Sequence, residues 1–329
     1  MTQPSSEATF DVVIVGGAFA GLSAALILGR ARRRVLVCDG GPARNAPAHA
    51  SHGFFANDGT APRELLQRAR EELRPYDSVE VRSILVESAS ALDASEGSAA
   101  AGAGFRLGLA DGETVRARFV LLAYGLTDAP PEIPGLADLW GRAVHQCPYC
   151  HGWEVRDRPL GLLGSWRTMR QRASLLRGWS TDLTAFIQDA GPESTADAAA
   201  VEIDRLARLG VTVRTEPVER VEGVGQGGLR VFLEGGDAID LGGLFVAPNV
   251  TPRSDLATSL GCFPVEGPEG LLPFVRVNDA GETTIPGVFA AGDLLGGTQT
   301  VVMAVGSGAR AAYVINHRLA HEAAEALLA

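Results

Sequence analysis

The sequence predicts an α/β protein built on two βαβ units, and three observations carry that prediction. An apolar, β-branched run, Phe10-Asp-Val-Val-Ile-Val15, leads through a glycine-rich turn into an Ala/Leu-rich helix and then a second strand. A second unit of the same kind begins at Leu160 and continues through the strand pattern Asp182-Leu-Thr-Ala-Phe-Ile187. Short apolar runs of strand length recur at Phe119–Gly125, Leu244–Pro248 and Gly287–Asp293. There is no further internal repeat and no heptad pattern.

Each element follows from local chemistry. The first helix is expected from about Leu22 to Arg32, and the next strand, Arg34-Val-Leu-Val-Cys38, ends at Asp39. Residues 88 to 104 are dominated by Ala, Ser and Gly, which predicts a hairpin tip or surface loop. The Pro-rich exit after the 119–125 strand, Ala129-Pro-Pro-Glu-Ile-Pro-Gly135, marks a domain boundary.

Composition narrows the chemistry. The chain has 329 residues, 46% hydrophobic and 21% charged, an ordinary globular profile with room for more than one domain. A formal net charge of −10 argues against nucleic acid or an anionic membrane as main partner. No apolar stretch approaches the roughly 18 residues that span a bilayer. The start, Met-Thr-Gln-Pro-Ser-Ser, lacks the pattern of a secretory signal, so a cytoplasmic protein is expected. All 29 basic residues are Arg, which excludes lysine Schiff bases, pyridoxal phosphate anchoring and a Walker phosphate loop. Of four cysteines, Cys147 and Cys150 form one C-x-x-C; Cys38 and Cys262 are expected to be packing residues.

The turn Gly16-Gly-Ala-Phe-Ala-Gly21 places small residues where backbone amides at a helix start receive a pyrophosphate. Gly16 permits the tight turn and Gly21 lets helix and strand approach, while Gly17, Phe19 and Ala20 complete the cradle. Ala18 stands where the usual pattern has its middle glycine. Asp39 is placed to accept hydrogen bonds from a ribose diol. Near the other end, Thr284-Ile-Pro-Gly-Val-Phe-Ala-Ala-Gly-Asp293 resembles the C-terminal FAD signature of flavoproteins with two dinucleotide domains. There the final Asp binds the ribityl chain. Together the two motifs predict bound FAD.

His145-Gln-Cys147-Pro-Tyr-Cys150-His-Gly-Trp-Glu154 carries the redox chemistry. Two thiols separated by two residues close a small, reactive disulfide, and a helix start stabilises their thiolates. Zinc is the competing reading, but it usually needs a second ligand pair of suitable spacing, and none is present. No metal is expected. His317 and His321, at i, i+4 on a terminal helix, read as a solvated face.

On these residues the whole chain resembles the low-molecular-weight thioredoxin reductases. The resemblance implies two Rossmann-like dinucleotide-binding domains, with the FAD domain split by an inserted NADPH-domain-like module. It divides the chain into FAD-domain residues 1–130 and 247–329 around an insert at 131–246. It implies that Cys150 faces the flavin, that Cys147 meets the substrate thiol, and that the protein is a homodimer. It extends the cofactor-binding set to Arg44, Asn45, His52, Val86, Gly125, Gly292, Asp293, Thr300 and Val301. Where that family has an acid directly after the second cysteine, this chain has His151.

The matching second nucleotide turn, Gly161-Leu-Leu-Gly164-Ser-Trp166-Arg-Thr-Met169, departs from the family. Trp166 falls where a pyrophosphate needs glycine, Met169 where a small residue packs, and no Arg follows in Ile187–Pro192. Arg167 and Arg170 read as a solvated helix face. A flavin with C-x-x-C and no pyridine nucleotide takes electrons from the thiol side or from another protein, with O2 the simplest acceptor. The Cys-Pro-Tyr-Cys-His-Gly-Trp-Glu run is similar to that of the FAD-dependent dithiol oxidases of disulfide natural-product pathways, the gliotoxin and holomycin type. The expected activity is oxidation of a small dithiol, yielding a disulfide and H2O2. The alternatives are an NADPH-dependent thioredoxin reductase with a drifted site, a ferredoxin-fed reductase, and an FAD-bound redox sensor. His151, ahead of His145, is expected to act as base with a pKa near neutrality, oriented by Glu154.

Overall fold

The computed structural model describes residues 7–92, 104–189, 196–225, 227–267 and 270–329. The chain gathers into two compact units. One comprises the residues up to Arg44, Pro62–Thr127 and Val250–Ala329; the other comprises Asn45–Ala61 and Asp128–Asn249.

In the first unit, the strands Val79–Arg82, Val35–Cys38, Ala8–Val15 and Thr114–Leu122 lie side by side in parallel. The far edge of Thr114–Leu122 is shared. Its first half pairs antiparallel with Phe105–Leu109, and its second half pairs parallel with Val288–Ala290. Alternation of side chains sends Val12 and Ile14 to one face and Val13 and Val15 to the other, each into its own buried cluster. On the Val12/Ile14 face, helix Phe19–Arg30 packs against the 28-residue terminal helix Val301–Leu328. Gly308 makes that contact possible, since a Cβ there would sit 2.0 Å from the Ala20 carbonyl oxygen. Register aligns Val15 with Cys38 and Leu122, and Leu122 with Ala290. Gly16, Asp39, Ala123 and Gly292 therefore emerge at one carboxyl edge, where open α/β sheets bind ligands.

Three sequence expectations need correction here. The first helix begins at Phe19 and not Leu22, because Ala18 already serves as its extended N-cap. Residues 88–91 are strand: Val86–Ala91 pairs antiparallel with Phe105–Leu109 through backbone bonds that need no large side chains. Residues 93–103 of the expected loop lie outside the described residues. The strand expected at 119 starts at Thr114, where Val115 and Ala117 face inward between polar neighbours.

The second unit holds a five-stranded parallel sheet in the order Val211–Arg214, Leu183–Asp189, Leu160–Ser165, Gly243–Val246, Val144–His145. Helices Trp166–Leu176 and Ala196–Arg208 belong to this unit. An antiparallel meander, Val218–Val224, Gly228–Leu233 and Ala238–Leu241, buries Val221, Leu229 and Val231 against Leu136, Val144 and Leu244. The C-x-x-C segment leaves the carboxyl end of Val144–His145. Among the described residues, no helix is long and apolar enough to cross a membrane.

Candidate active site

The turn after the first strand has the geometry of a phosphate cradle. Gly16 sits at φ +119°, and a Cβ there would lie 2.3 Å from the Ala123 carbonyl oxygen. A Cβ on Gly21 would lie 1.9 Å from the Gly16 oxygen. Both positions need glycine for strand and helix to come this close. The helix from Phe19 has no side-chain cap, so its first amides are open to an anion. Asp39 accepts from Arg70 Nη2 at 2.5 Å, and the same nitrogen reaches the Gly17 carbonyl at 3.3 Å. Sequence reading missed Arg70, which comes from the distant helix Pro62–Leu73. A cleft of about 420 Å³ opens beside Asp39 and Gly40, lined further by Ser83, Ile84 and Leu85.

At the other end of the cradle, Arg44 Nη1 donates to Asp293 at 2.9 Å and to Gln299 Oε1 at 2.7 Å. Gly292, at φ +74°, donates its N–H to Ser307 Oγ at 2.9 Å. Thr300 caps the terminal helix and Val301 opens it; Thr300 Oγ1 is buried without a hydrogen-bond partner. Val86 buries its side chain in the core and pairs with Leu109 across the hairpin. Gly125 is at φ +71°, and its carbonyl accepts from Arg253 N at 3.2 Å. The open amides, the glycine cradle and the orphaned Thr300 hydroxyl fit an elongated, phosphate-bearing cofactor such as FAD. Asp39 and Asp293, expected to face sugar hydroxyls, are each engaged by an arginine.

In the second unit Cys147 and Cys150 form a disulfide, with Cα atoms 5.3 Å apart. Pro148 occupies the first helical position of Pro148–His151, and Cys147 is the N-cap. Its Sγ accepts the Cys150 N–H at 3.2 Å. His145, only 4% exposed, stacks on His151 with ring centroids 4.4 Å apart and planes 17° from parallel. Neither nitrogen of His145 and not Nδ1 of His151 has a hydrogen-bond partner. Burial pushes the His145 pKa down to about 3, with His151 adding to the shift. Burial likewise pushes His151 down to about 4, with His52 adding to it.

The expectation of a histidine titrating near neutrality is therefore wrong. Both imidazoles are neutral at pH 7 because burial disfavours their protonated forms, with a neighbouring imidazole adding to each shift. Nor does Glu154 orient His151. It faces His52 Nε2 at 3.5 Å, while Asp58 lies 3.6 Å from Nδ1. Asn45 Nδ2 donates to Ser51 Oγ at 3.4 Å, and Asn45 Oδ1 is buried without a partner. Exposed aromatics border the disulfide in sequence: Tyr149 packs edge-on to Trp179, and Arg156 lies 3.8 Å over the Trp153 ring.

The second βαβ unit has no glycine turn. Strand Leu160–Ser165 passes directly into helix Trp166–Leu176, with Ser165 as N-cap. Gly164 is an ordinary strand residue paired with Ile187. Met169 is buried beside Ala173 and Phe245, and Trp166 packs against the same cluster. Part of Ile187–Pro192 lies outside the described residues. Among the described residues, no three His, Cys, Asp or Glu side chains converge as a metal site. Cys38 and Cys262 are free and buried. His317 and His321 are exposed on the terminal helix.

Comparison with known proteins agrees with this geometry. The profile of the pyridine nucleotide-disulphide oxidoreductases matches residues 10–308. The thioredoxin reductase aclD of Aspergillus oryzae is 30% identical over 95% of this chain and 97% of its own. The crystal structure of HlmI, 36% identical, superposes with a TM-score of 0.86 over 99% of this chain and 98% of HlmI. An oxidoreductase from Agrobacterium tumefaciens, also 36% identical, gives 0.82 over 95% of this chain and 99% of its own. The chain thus belongs to the pyridine nucleotide-disulphide oxidoreductase family, in its thioredoxin reductase-like branch, and is an oxidoreductase with FAD as its cofactor.

Proposed function

We propose that the protein is an FAD-dependent dithiol oxidase that closes a disulfide within a small dithiol, with O2 as final electron acceptor. The observation that carries this reading is the contrast between an intact cradle after Val15 and a second βαβ unit that runs from Ser165 into Trp166 with no turn. Without a phosphate turn for NADPH, the thiols of a substrate are the remaining electron source, and the Cys147–Cys150 disulfide is their entry point. FAD, when bound, would supply the two-electron carrier between the cysteine pair and O2. Gly16, Gly17, Ala18, Phe19, Ala20 and Gly21 would hold its pyrophosphate, helped by Arg44. Asp39 and Val86 would serve its adenosine half, and Gly125, Gly292, Asp293, Thr300 and Val301 the ribityl and ring; Asn45 and His52 are read as further cofactor residues by family resemblance.

Cys147 takes the substrate-facing role and Cys150 the flavin-facing one. His151 is the proton acceptor for the substrate thiol. Its imidazole is neutral at working pH, so it is ready to accept, and it is less buried than His145, which stacks against it. The partners in this reading are a small-molecule dithiol, O2 and a second copy of the chain, in the cytoplasm.

An oxygen electrode tests the proposal. Dithiothreitol should drive O2 uptake, with one H2O2 formed per dithiol consumed. The names of the thioredoxin reductase relatives keep an NADPH-dependent reductase as the second reading. NADPH-driven reduction of a protein disulfide, with no dithiol oxidase turnover, would favour it.

A further inference from the structure

The helix Trp166–Leu176 lacks a phosphate turn at its start, yet its middle carries a cation that meets no carboxylate among the described residues. Arg172 Nη2 donates to the Gln146 carbonyl at 2.9 Å, at the residue directly before Cys147. Burial lowers its pKa. Arg172 is half-buried; a guanidinium partly withdrawn from water without a nearby counter-charge is unfavourable, and one neutral carbonyl offsets only part of that. An anion appearing during turnover would complete the site. The residue following Gln146 supplies one: the Cys147 sulfur, once the disulfide opens. That sulfur already accepts the Cys150 N–H at 3.2 Å. The Cys150 backbone N–H, and a cation held on the carbonyl of the preceding residue, would favour the same thiolate.

We propose that Arg172 is a positioning residue that fixes the Gln146–Cys147 peptide and stabilises Cys147 as a thiolate. The proposal rests on the reading of Cys147 as the substrate-facing cysteine. In the first exchange a substrate thiolate attacks Cys147 Sγ, the Cys147–Cys150 bond breaks, and Cys150 leaves with the electron pair. In the second, the other substrate thiolate attacks the substrate sulfur of the mixed disulfide. That bond breaks and Cys147 leaves as a thiolate. The substrate is oxidised by two electrons, the cysteine pair is reduced by two, and the two substrate protons pass to His151 and to solvent. Arg172 acts on the second departure.

The experiment uses holoenzyme, reduced anaerobically with a phosphine, desalted, and pulsed with iodoacetamide across pH. Peptide mass spectrometry then reads Cys147 and Cys150 separately. Arg172→Gln keeps a donor for the carbonyl but removes the charge; it should raise the midpoint for Cys147 alkylation by about one pH unit, tenfold in thiolate fraction. Arg172→Lys should keep the wild-type midpoint, and Arg172→Met should match the Gln variant. Flavin content and circular dichroism verify folding in each. An unchanged midpoint in Arg172→Gln, or a Lys variant shifted as far as Gln, overturns the proposal. The identity of the faster-alkylating cysteine reads the underlying assignment separately: faster modification of Cys150 would overturn the role of Cys147 without touching the measured effect of the charge.

Discussion

The two βαβ units of this chain share a plan and differ at one joint. After Val15 the backbone turns through Gly16, Gly17 and Ala18 before the helix starts; after Ser165 the helix starts at once. In the first joint Gly16 and Gly21 are glycine because any Cβ would strike a backbone oxygen. In the second, Met169 takes the position of Gly21 and is buried in the core. The strands remain parallel and buried in both. The fold does not depend on the glycine turn, because sheet and core rest on dozens of apolar residues and a cradle on a handful of small ones.

The largest effects should come from the electron entry point that this contrast leaves. Cys150→Ser should reduce dithiol-driven flavin bleaching to background, as seen by anaerobic stopped-flow absorbance; near-native bleaching would break the account. Gly21→Val should yield protein purified without flavin absorbance, since its side chain would meet the Gly16 carbonyl. The same motif position in the second unit should behave oppositely. Met169→Ala should keep FAD but lower unfolding free energy by about 2–5 kcal/mol through a core cavity, measured by urea denaturation.

Smaller effects concern the histidine stack. His151→Ala should slow the reductive half-reaction by roughly 10²-fold. Its wild-type pH profile should show no inflection between pH 6 and 7 that the variant lacks, because His151 is neutral above about pH 4. His145 makes the weakest prediction. Its native pKa of about 3 lies below the ordinary 6.5, so the unfolded chain binds the proton first as pH falls. Its stabilising share is full above pH 6.5 and is lost as pH drops toward 3. Between pH 7 and 5 the wild type should lose about 1–2 kcal/mol more than His145→Gln. Equal losses would place the stack in a wetter environment.

What the sequence made legible was local. The turn at Gly16, the C-x-x-C pair and the indole at Trp166 are each read from adjacent residues whose size or reactivity decides the outcome. What stayed hidden depends on residues far apart in the chain. Nothing near Asp39 announces Arg70, nothing near Asp293 announces Arg44, and nothing near Gln146 announces Arg172. The histidine pKa values are hidden for the same reason. Their neighbours in sequence are Cys, Gln and Gly, but Phe245, from the neighbouring strand, lies 5.6 Å from the His145 ring in a buried environment that removes the charge. The grouping of Asn45–Ala61 with residues beyond Asp128 likewise has no local signal.

The central claim is that electrons enter through the cysteines and not through a pyridine nucleotide. Anaerobic mixing of oxidised holoenzyme with excess dithiothreitol, and separately with excess NADPH, tests it most directly through the flavin absorbance band. The account predicts rapid bleaching by the dithiol and an unchanged spectrum with NADPH over the same interval. Rapid bleaching by NADPH would contradict it.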